Sequence, residues 1–201
     1  MLKYISIVII TILMLFAIPT RENQNVVEVL EPIDPTDLVS RDPIELFPEY
    51  NNLVLNDLPK DVQTTIRCLA GNIYFEARSE SIEGQMAVAF VTINRMISRD
   101  FPDNICSVVK QKNRRLCQFS WYCQTKERRR YYTTNLSAGK NKTYNEIVHL
   151  ALFIYNNHQR MNDPTKGSLY YHASYVKPNW KHLYKSVVIG RHIFYVDNRK
   201  S

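Results

Sequence analysis

Two apolar stripes with helical spacing meet across a four-residue polar break, and that junction constrains the chain more than any other feature. In the first stripe Ile66, Leu69, Ile73 and Ala77 recur at steps of three and four. In the second, Ile82, Met86, Ala89, Ile93 and Ile97 share a face, and Arg78-Ser79-Glu80-Ser81 lies between them. Such steps place each set on one side of an α-helix, so two amphipathic helices are predicted to meet at residues 76–81, the first with Asp61 as its N-cap. Phe101-Pro102-Asp103 reads as a turn, followed by a short helix through Val109. The aromatic-rich residues 117–123 read as extended. A third long helix is predicted from 144 to about 158 on Ile147, Leu150, Ala151 and Ile154, ended by Asn162-Asp163-Pro164. Residues 169–176 and 186–196 are rich in Tyr, Val, Ile and Phe, with Gly190 between VVI and HIFYV, which predicts strands and a hairpin. The expected fold class is α+β, mainly helical, with a small antiparallel sheet near the C-terminus.

Residues 20–60 carry nine acids and three bases, whereas residues 61–201 carry ten acids and 22 bases. The acidic stretch includes Pro32, Pro35, Pro43, Pro48 and Pro59 and no sustained helical period, so residues 20–59 are expected to be a linker or loosely packed arm. Residues 60–201 form the expected domain, whose 45% hydrophobic content across the chain excludes a disordered composition. Its positive charge calls for an anionic partner, whether nucleic acid, anionic lipid or the charged polymers of a cell wall. The apolar run at residues 4–19 follows a short charged start and precedes a polar exit, and it is shorter than the roughly 20 residues that span a bilayer comfortably. Residues 1–19 are therefore expected to be a signal peptide or an uncleaved signal anchor giving membrane association, and the rest exported to the periplasm or envelope.

Cys68, Cys106, Cys117 and Cys123 are even in number, and in an exported chain they predict two disulfides with three connectivities open. Spacings of 38, 11 and 6 include no C-x-x-C pair, and the five histidines form no compact ligand pattern, so neither metal nor cofactor is expected. G-x-S-x-G and P-loop motifs are absent from the sequence.

Glu76 ends the first apolar stripe beside Tyr74, Phe75 and Ala77. A carboxyl among apolar groups loses hydration, so its neutral form is favoured and it can serve as an acid near neutral pH. The competing expectation is a surface glutamate paired with Arg78. Glu80 and Glu83 are the nearest other carboxyls, and at the start of a helix they need no chemical role. Gln118, Phe119, Ser120 and Trp121 join amide, hydroxyl and aromatic surface in four consecutive residues, as a sugar-binding groove requires; a buried strand would need Phe119 equally. Tyr170, Tyr171, His172, Tyr175 and Trp180 form a second such cluster.

CLAGNIYFEARSESIEGQMAVAFVTINRM, FPDNICSVVKQ, CQFSWYC and GSLYYHASYVKPNW with IGRHIFY, in that order, resemble the SleB-like cell wall hydrolase family from Cys68 to Tyr195. The resemblance implies a lysozyme-like domain related to lytic transglycosylases, with Glu76 as the catalytic acid. It further implies cleavage between N-acetylmuramic acid and N-acetylglucosamine of peptidoglycan, by a monomer, with 1,6-anhydro ends as product. Tyr74, Gln118, Phe119, Ser120, Trp121, Tyr171, His172 and Trp180 are the expected glycan contacts. Ser79 and Gln124 depart from the Gly and Asp that members often carry, which removes any acid at the latter position. The alternatives are a hydrolase in which Glu80 or Glu83 assists water, a wall-binding protein without activity and, ranked last, a nucleic-acid binder using the basic clusters at 110–115 and 126–130; no nucleic-acid partner is expected.

Overall fold

The computed structural model describes residues 55–113, 116–123 and 141–197. The expected signal segment, nearly all of the acidic arm, and the basic cluster at 126–130 lie outside the described residues. Among the described residues no helix is long and apolar enough to cross a membrane.

After a 3₁₀ turn at Leu55–Asp57, helix α1 runs Lys60–Ala77, α2 Ile82–Ile97 and α3 Ile105–Lys110. A two-stranded ladder, β1 Lys112–Asn113 with β2 Leu116–Cys117, leads to the single turn α4 Ser120–Cys123. The last long helix, α5, spans Lys142–Asn157 and precedes strands β3 Tyr170–Ala173, β4 Leu183–Ile189 and β5 His192–Asp197. The three strands form an antiparallel sheet in the order β3-β5-β4. The mainly helical α+β class expected from the sequence is the one observed.

α1 buries Ile66, Leu69 and Ile73 against α2, α3 and α5, which contribute Met86, Ile105, Leu150 and Ile154 to one core. α2 is buried on a second side too, because Ala87 and Val91 pack on Ile189 and Phe194 of the sheet. This helix is therefore the partition between the helical core and the sheet. Its period predicted one apolar face; the small residues on the other side let the sheet approach.

Two local expectations are corrected. The N-cap of α1 is Pro59, not Asp61, which sits in the first turn. Proline is pre-set for a helix start and lacks a donor that would go unused there, while the aspartate is favoured by the helix dipole. Residues 117–123 are not extended. Six extended residues would span roughly 20 Å, but the Cys117 and Cys123 Cα atoms lie 5.8 Å apart across their disulfide, so the chain doubles back through α4. The other disulfide joins Cys68 on α1 to Cys106 on α3, 38 residues apart, which resolves the pairing. Closing a loop of that length is worth about 4 kcal/mol in the chain-entropy view.

Buried polar side chains tie these parts together. Asn72 Nδ2 donates to Thr92 Oγ1 at 3.0 Å, and Trp121 Nε1 donates to Asn72 Oδ1 at 3.0 Å, so α1, α2 and α4 share one hydrogen-bonded chain. Farther along, Asp163 accepts from Thr165 N and Gly167 N, each at 2.7 Å, and from Asn94 Nδ2 at 2.8 Å. That knot fixes where β3 starts relative to α2.

Candidate active site

A cleft of about 460 Å³ has Glu76 and Arg95 in its lining, with Gln118 to Trp121 on one wall and Tyr170 to Ala173 on the other. Trp180, Tyr175 and His192 complete its aromatic side. Seven of the eight residues expected to contact glycan line it together with Glu76, across up to 104 positions of sequence; Tyr74 does not.

Glu76 occupies the last turn of α1. Phe75 beside it stacks on Trp121, centroids 4.6 Å apart, which dries that side of the carboxyl. Burial raises the Glu76 pKa above the usual carboxyl value, opposed by the hydrogen bond from Tyr171 and by the charge of Arg95. A helix C-terminus carries negative partial charge, which works in the same direction as burial. Tyr171 Oη donates to Glu76 Oε2 at 3.1 Å. Burial and the neighbouring Glu76 charge push the Tyr171 pKa well above its ordinary value, so the phenol keeps its proton and stays a donor. Arg78 is not the partner of Glu76: its guanidinium reaches the Tyr74 carbonyl at 3.5 Å and lies over the Tyr74 ring.

Glu80 is engaged elsewhere. Its side chain is 6% exposed, with Oε1 accepting from Arg191 Nε at 2.7 Å and Oε2 from the Arg191 backbone N–H at 3.1 Å. Two glycines make room for it. A Cβ on Gly84 would lie 2.7 Å from Glu80 Cβ, and one on Gly190 would lie 2.1 Å from Glu80 Oε2, at a backbone φ of +53°. Burial pushes the Glu80 carboxyl up, but the Arg191 hydrogen bonds and charge outweigh it and hold the pKa below the ordinary value. Glu83 lies in the first turn of α2 and outside the cleft lining.

The expected glycan contacts divide by burial. Phe119 and Trp121 are 2% and 3% exposed and support the wall from within. Gln118 and Ser120 are exposed at its surface. His172 is held on both sides: Nδ1 lies 2.9 Å from the Ala173 carbonyl and Nε2 2.9 Å from Tyr195 Oη. The carbonyl can only accept, so Nδ1 carries a proton and donates to it. Trp180 packs edge-on against His172 and Tyr195. Tyr74, one residue before Phe75 on the helix, turns away to Tyr144, and its Oη accepts from Asn141 Nδ2 at 3.1 Å.

Sequence reasoning missed Arg95, Phe75 and His192. Arg95 is the one basic residue between Ile82 and Ile97, and that was the available signal. Burial draws its pKa down to about 10, countered by Tyr171, Tyr170 and Glu76, and it remains a cation at neutral pH. His192 is 7% exposed, and its Nδ1 has no hydrogen-bond partner among the described residues. Burial lowers its pKa, against the pull of Glu80, so the ring is neutral.

Over short stretches the chain is similar to spore cortex-lytic enzymes. It is 47% identical to that of Oceanobacillus iheyensis over 47 residues, 23% of this chain and 17% of the relative. With the Bacillus subtilis enzyme it shares 48% over 44 residues, 22% and 14% of the two chains. The aligned stretch is thus less than a fifth of the length of these curated relatives. Among solved structures it is similar to the catalytic domain of the Bacillus cereus SleB protein, at 28% identity over 67% of this chain and 91% of that one, TM-score 0.45. The catalytic domain of the germination-specific lytic transglycosylase SleB from Bacillus anthracis gives 27% over 71% and 100%, TM-score 0.46. The profile of the family described as Cell Wall Hydrolase matches residues 79–195, from just after Glu76 into β5. That span is more than half of the chain and includes both walls of the cleft, and the protein belongs to the cell wall hydrolase family.

Proposed function

We propose that the protein cleaves peptidoglycan glycan strands between N-acetylmuramic acid and N-acetylglucosamine as a lytic transglycosylase, with Glu76 acting first as acid and then as base. The observation that carries this reading is that, among the described residues, Glu76 is the one carboxyl in the cleft lining, half-buried and met by the Tyr171 hydroxyl. Glu76 would pass its proton to the bridging oxygen as the bond from that oxygen to the anomeric carbon breaks. The resulting carboxylate would take the proton of the muramic C6 hydroxyl as its oxygen bonds to the anomeric carbon. Atoms balance without water, and the carboxyl ends protonated, ready for another turn. The walls fit such a ligand: aromatic rings suit the apolar faces of sugars, while Gln118 and Ser120 offer hydrogen bonds at the surface.

Hydrolysis would call for a second carboxylate to activate water on the far side of the sugar. Both Glu80 oxygens are already taken by Arg191, and Glu83 lies outside the cleft lining, so neither is placed in that role here. Digestion of purified peptidoglycan is expected to release muropeptides with anhydro ends, read by mass spectrometry; exclusively reducing ends would exclude the transglycosylase step. Glu83→Gln is expected to keep lysis within about threefold, since Glu83 lies outside the cleft lining and a change of one polar group there costs little. A loss of a hundredfold at an unchanged unfolding temperature would restore hydrolysis, with Glu83 as the second carboxyl. In this proposal the apolar run at 4–19 carries the enzyme to the envelope, where its substrate lies.

A further inference from the structure

Arg95 is the second charged group in the cleft lining, and acid chemistry at Glu76 alone leaves it without a task. It lies in the last turn of α2 and is 3% exposed. Its Nε donates to the Leu169 carbonyl at 2.7 Å. With the Gln118 amide turned to present its oxygen, the two terminal nitrogens reach that oxygen at 3.0 and 3.3 Å. The rings of Phe119, Phe101 and Tyr170 stand 5.0, 5.3 and 5.9 Å from the guanidinium carbon. Every one of these partners is neutral, and among the described residues Arg95 makes no ion pair.

A buried cation surrounded only by neutral groups is poorly compensated, and proteins rarely keep one without use. Tyr171 and Tyr170 face it from β3, Gln118 from the segment before α4, and Glu76 from α1. His192 of β5 lines the same cleft and is neutral. Glu76 is thus the one group in this set that gains or loses a charge during the proposed reaction. The attraction between Arg95 and Glu76 exists only while Glu76 is ionised. Arg95 is itself withdrawn from water, so that attraction is weakly screened and acts over distances longer than a hydrogen bond.

We propose that Arg95 is a positioning residue whose fixed, buried charge stabilises the Glu76 carboxylate formed midway through the reaction, so that one carboxyl can act as acid and then as base. This rests on the function proposed above. Burial alone would make Glu76 hold its proton too tightly, giving a weak acid and then an unstable carboxylate. Tyr171 relieves part of that through a direct hydrogen bond, and Arg95 relieves more through its field. The guanidinium reaches the reaction through Glu76 and touches no substrate.

The test is a paired pH profile and titration on the full chain. Arg95→Met removes the charge, so the Glu76 pKa should rise by about one unit, the alkaline limb of lysis should move up by the same amount, and the plateau rate should fall about tenfold or more. Arg95→Lys keeps a charge at that depth and should leave the limb within about half a unit of the parent, although it loses the fork that holds Leu169 and Gln118. The carboxyl titration is read directly by NMR of carboxyl-labelled glutamate, with Glu76→Gln identifying the signal. Where Arg95→Met does not fold, Arg95→Gln supplies a neutral side chain that can still donate to Leu169. A Glu76 titration unmoved in the neutral variants overturns the proposal, and so does an equal shift in the lysine and neutral variants, which would mark a purely structural role. Because the titration needs no substrate, it decides the coupling even if the parent releases no anhydro ends, an outcome that would count against the proposed reaction instead.

Discussion

Glu76→Gln is expected to abolish lysis and, above about pH 5, to make the protein more resistant to heat. The first effect follows from removing the proton donor of the proposed reaction, a loss on the order of 10³-fold or greater. The second follows from the raised pKa of the buried carboxyl. A group with a folded pKa above its unfolded value contributes stability fully below the unfolded value, about 4.3 for Glu. That contribution fades as pH rises through the folded pKa, because the folded state must then hold a buried charge. Glutamine has nearly the same shape and never ionises, so its advantage should be absent at pH 4 and present at pH 8. Thermal unfolding at the two pH values and clearing of a wall suspension measure both effects. Lysis that survives the change removes Glu76 from its assigned role. Equal destabilisation at both pH values contradicts the raised pKa.

The long helices were legible because each carries its apolar residues at steps of three and four, and α2 begins and ends where that stripe does, at Ile82 and Ile97. The sheet was legible from β-branched and aromatic runs around Gly190, whose positive φ belongs to the hairpin turn. What stayed hidden depends on contacts between distant residues. Tyr74 and Phe75 are neighbours of similar character, yet one helical step of about 100° sends Phe75 into the cleft and Tyr74 toward α5. Nothing in the local sequence chooses between them. The competing expectation paired Glu76 with Arg78, two positions away, whereas its hydrogen-bond donor is Tyr171, 95 positions on. The segment 117–123 misled because its aromatic content favours strands, whereas a disulfide across six residues forbids an extended path.

Glu80 explains how the two halves of the site are held in register. It sits at the α1–α2 junction, four residues after Glu76, and grips the turn at Gly190–Arg191 that joins β4 to β5. β5 pairs with β3, which carries Tyr171. One carboxylate therefore links the helix end that bears the acid to the sheet that bears its hydrogen-bond donor. The absence of a Cβ at Gly84 and Gly190 is what admits it. A second acid close to the first thus has a structural reason to be there.

Trp121→Ala is expected to lower stability by about 3–5 kcal/mol, a fall of roughly 10 °C or more in unfolding temperature for a domain of this size. A glycan platform would instead show weaker substrate binding at unchanged stability. Burial favours the supporting role: the indole is 3% exposed, stacks on Phe75 at an interplanar angle of 18°, and donates Nε1–H to Asn72 Oδ1. Truncation would open a cavity and also take a buried donor from Asn72, two separate costs. Trp121→Phe is the milder change, since it keeps a ring against Phe75 and loses the N–H with only part of the indole volume, at about 1–3 kcal/mol. In the Glu76→Gln background, which binds without cutting, this variant should hold insoluble peptidoglycan within about twofold of its parent, because surface groups, not a buried ring, make the contacts that matter for binding. A tenfold loss of binding with an unchanged unfolding temperature would return Trp121 to the glycan and leave Phe75 without its support.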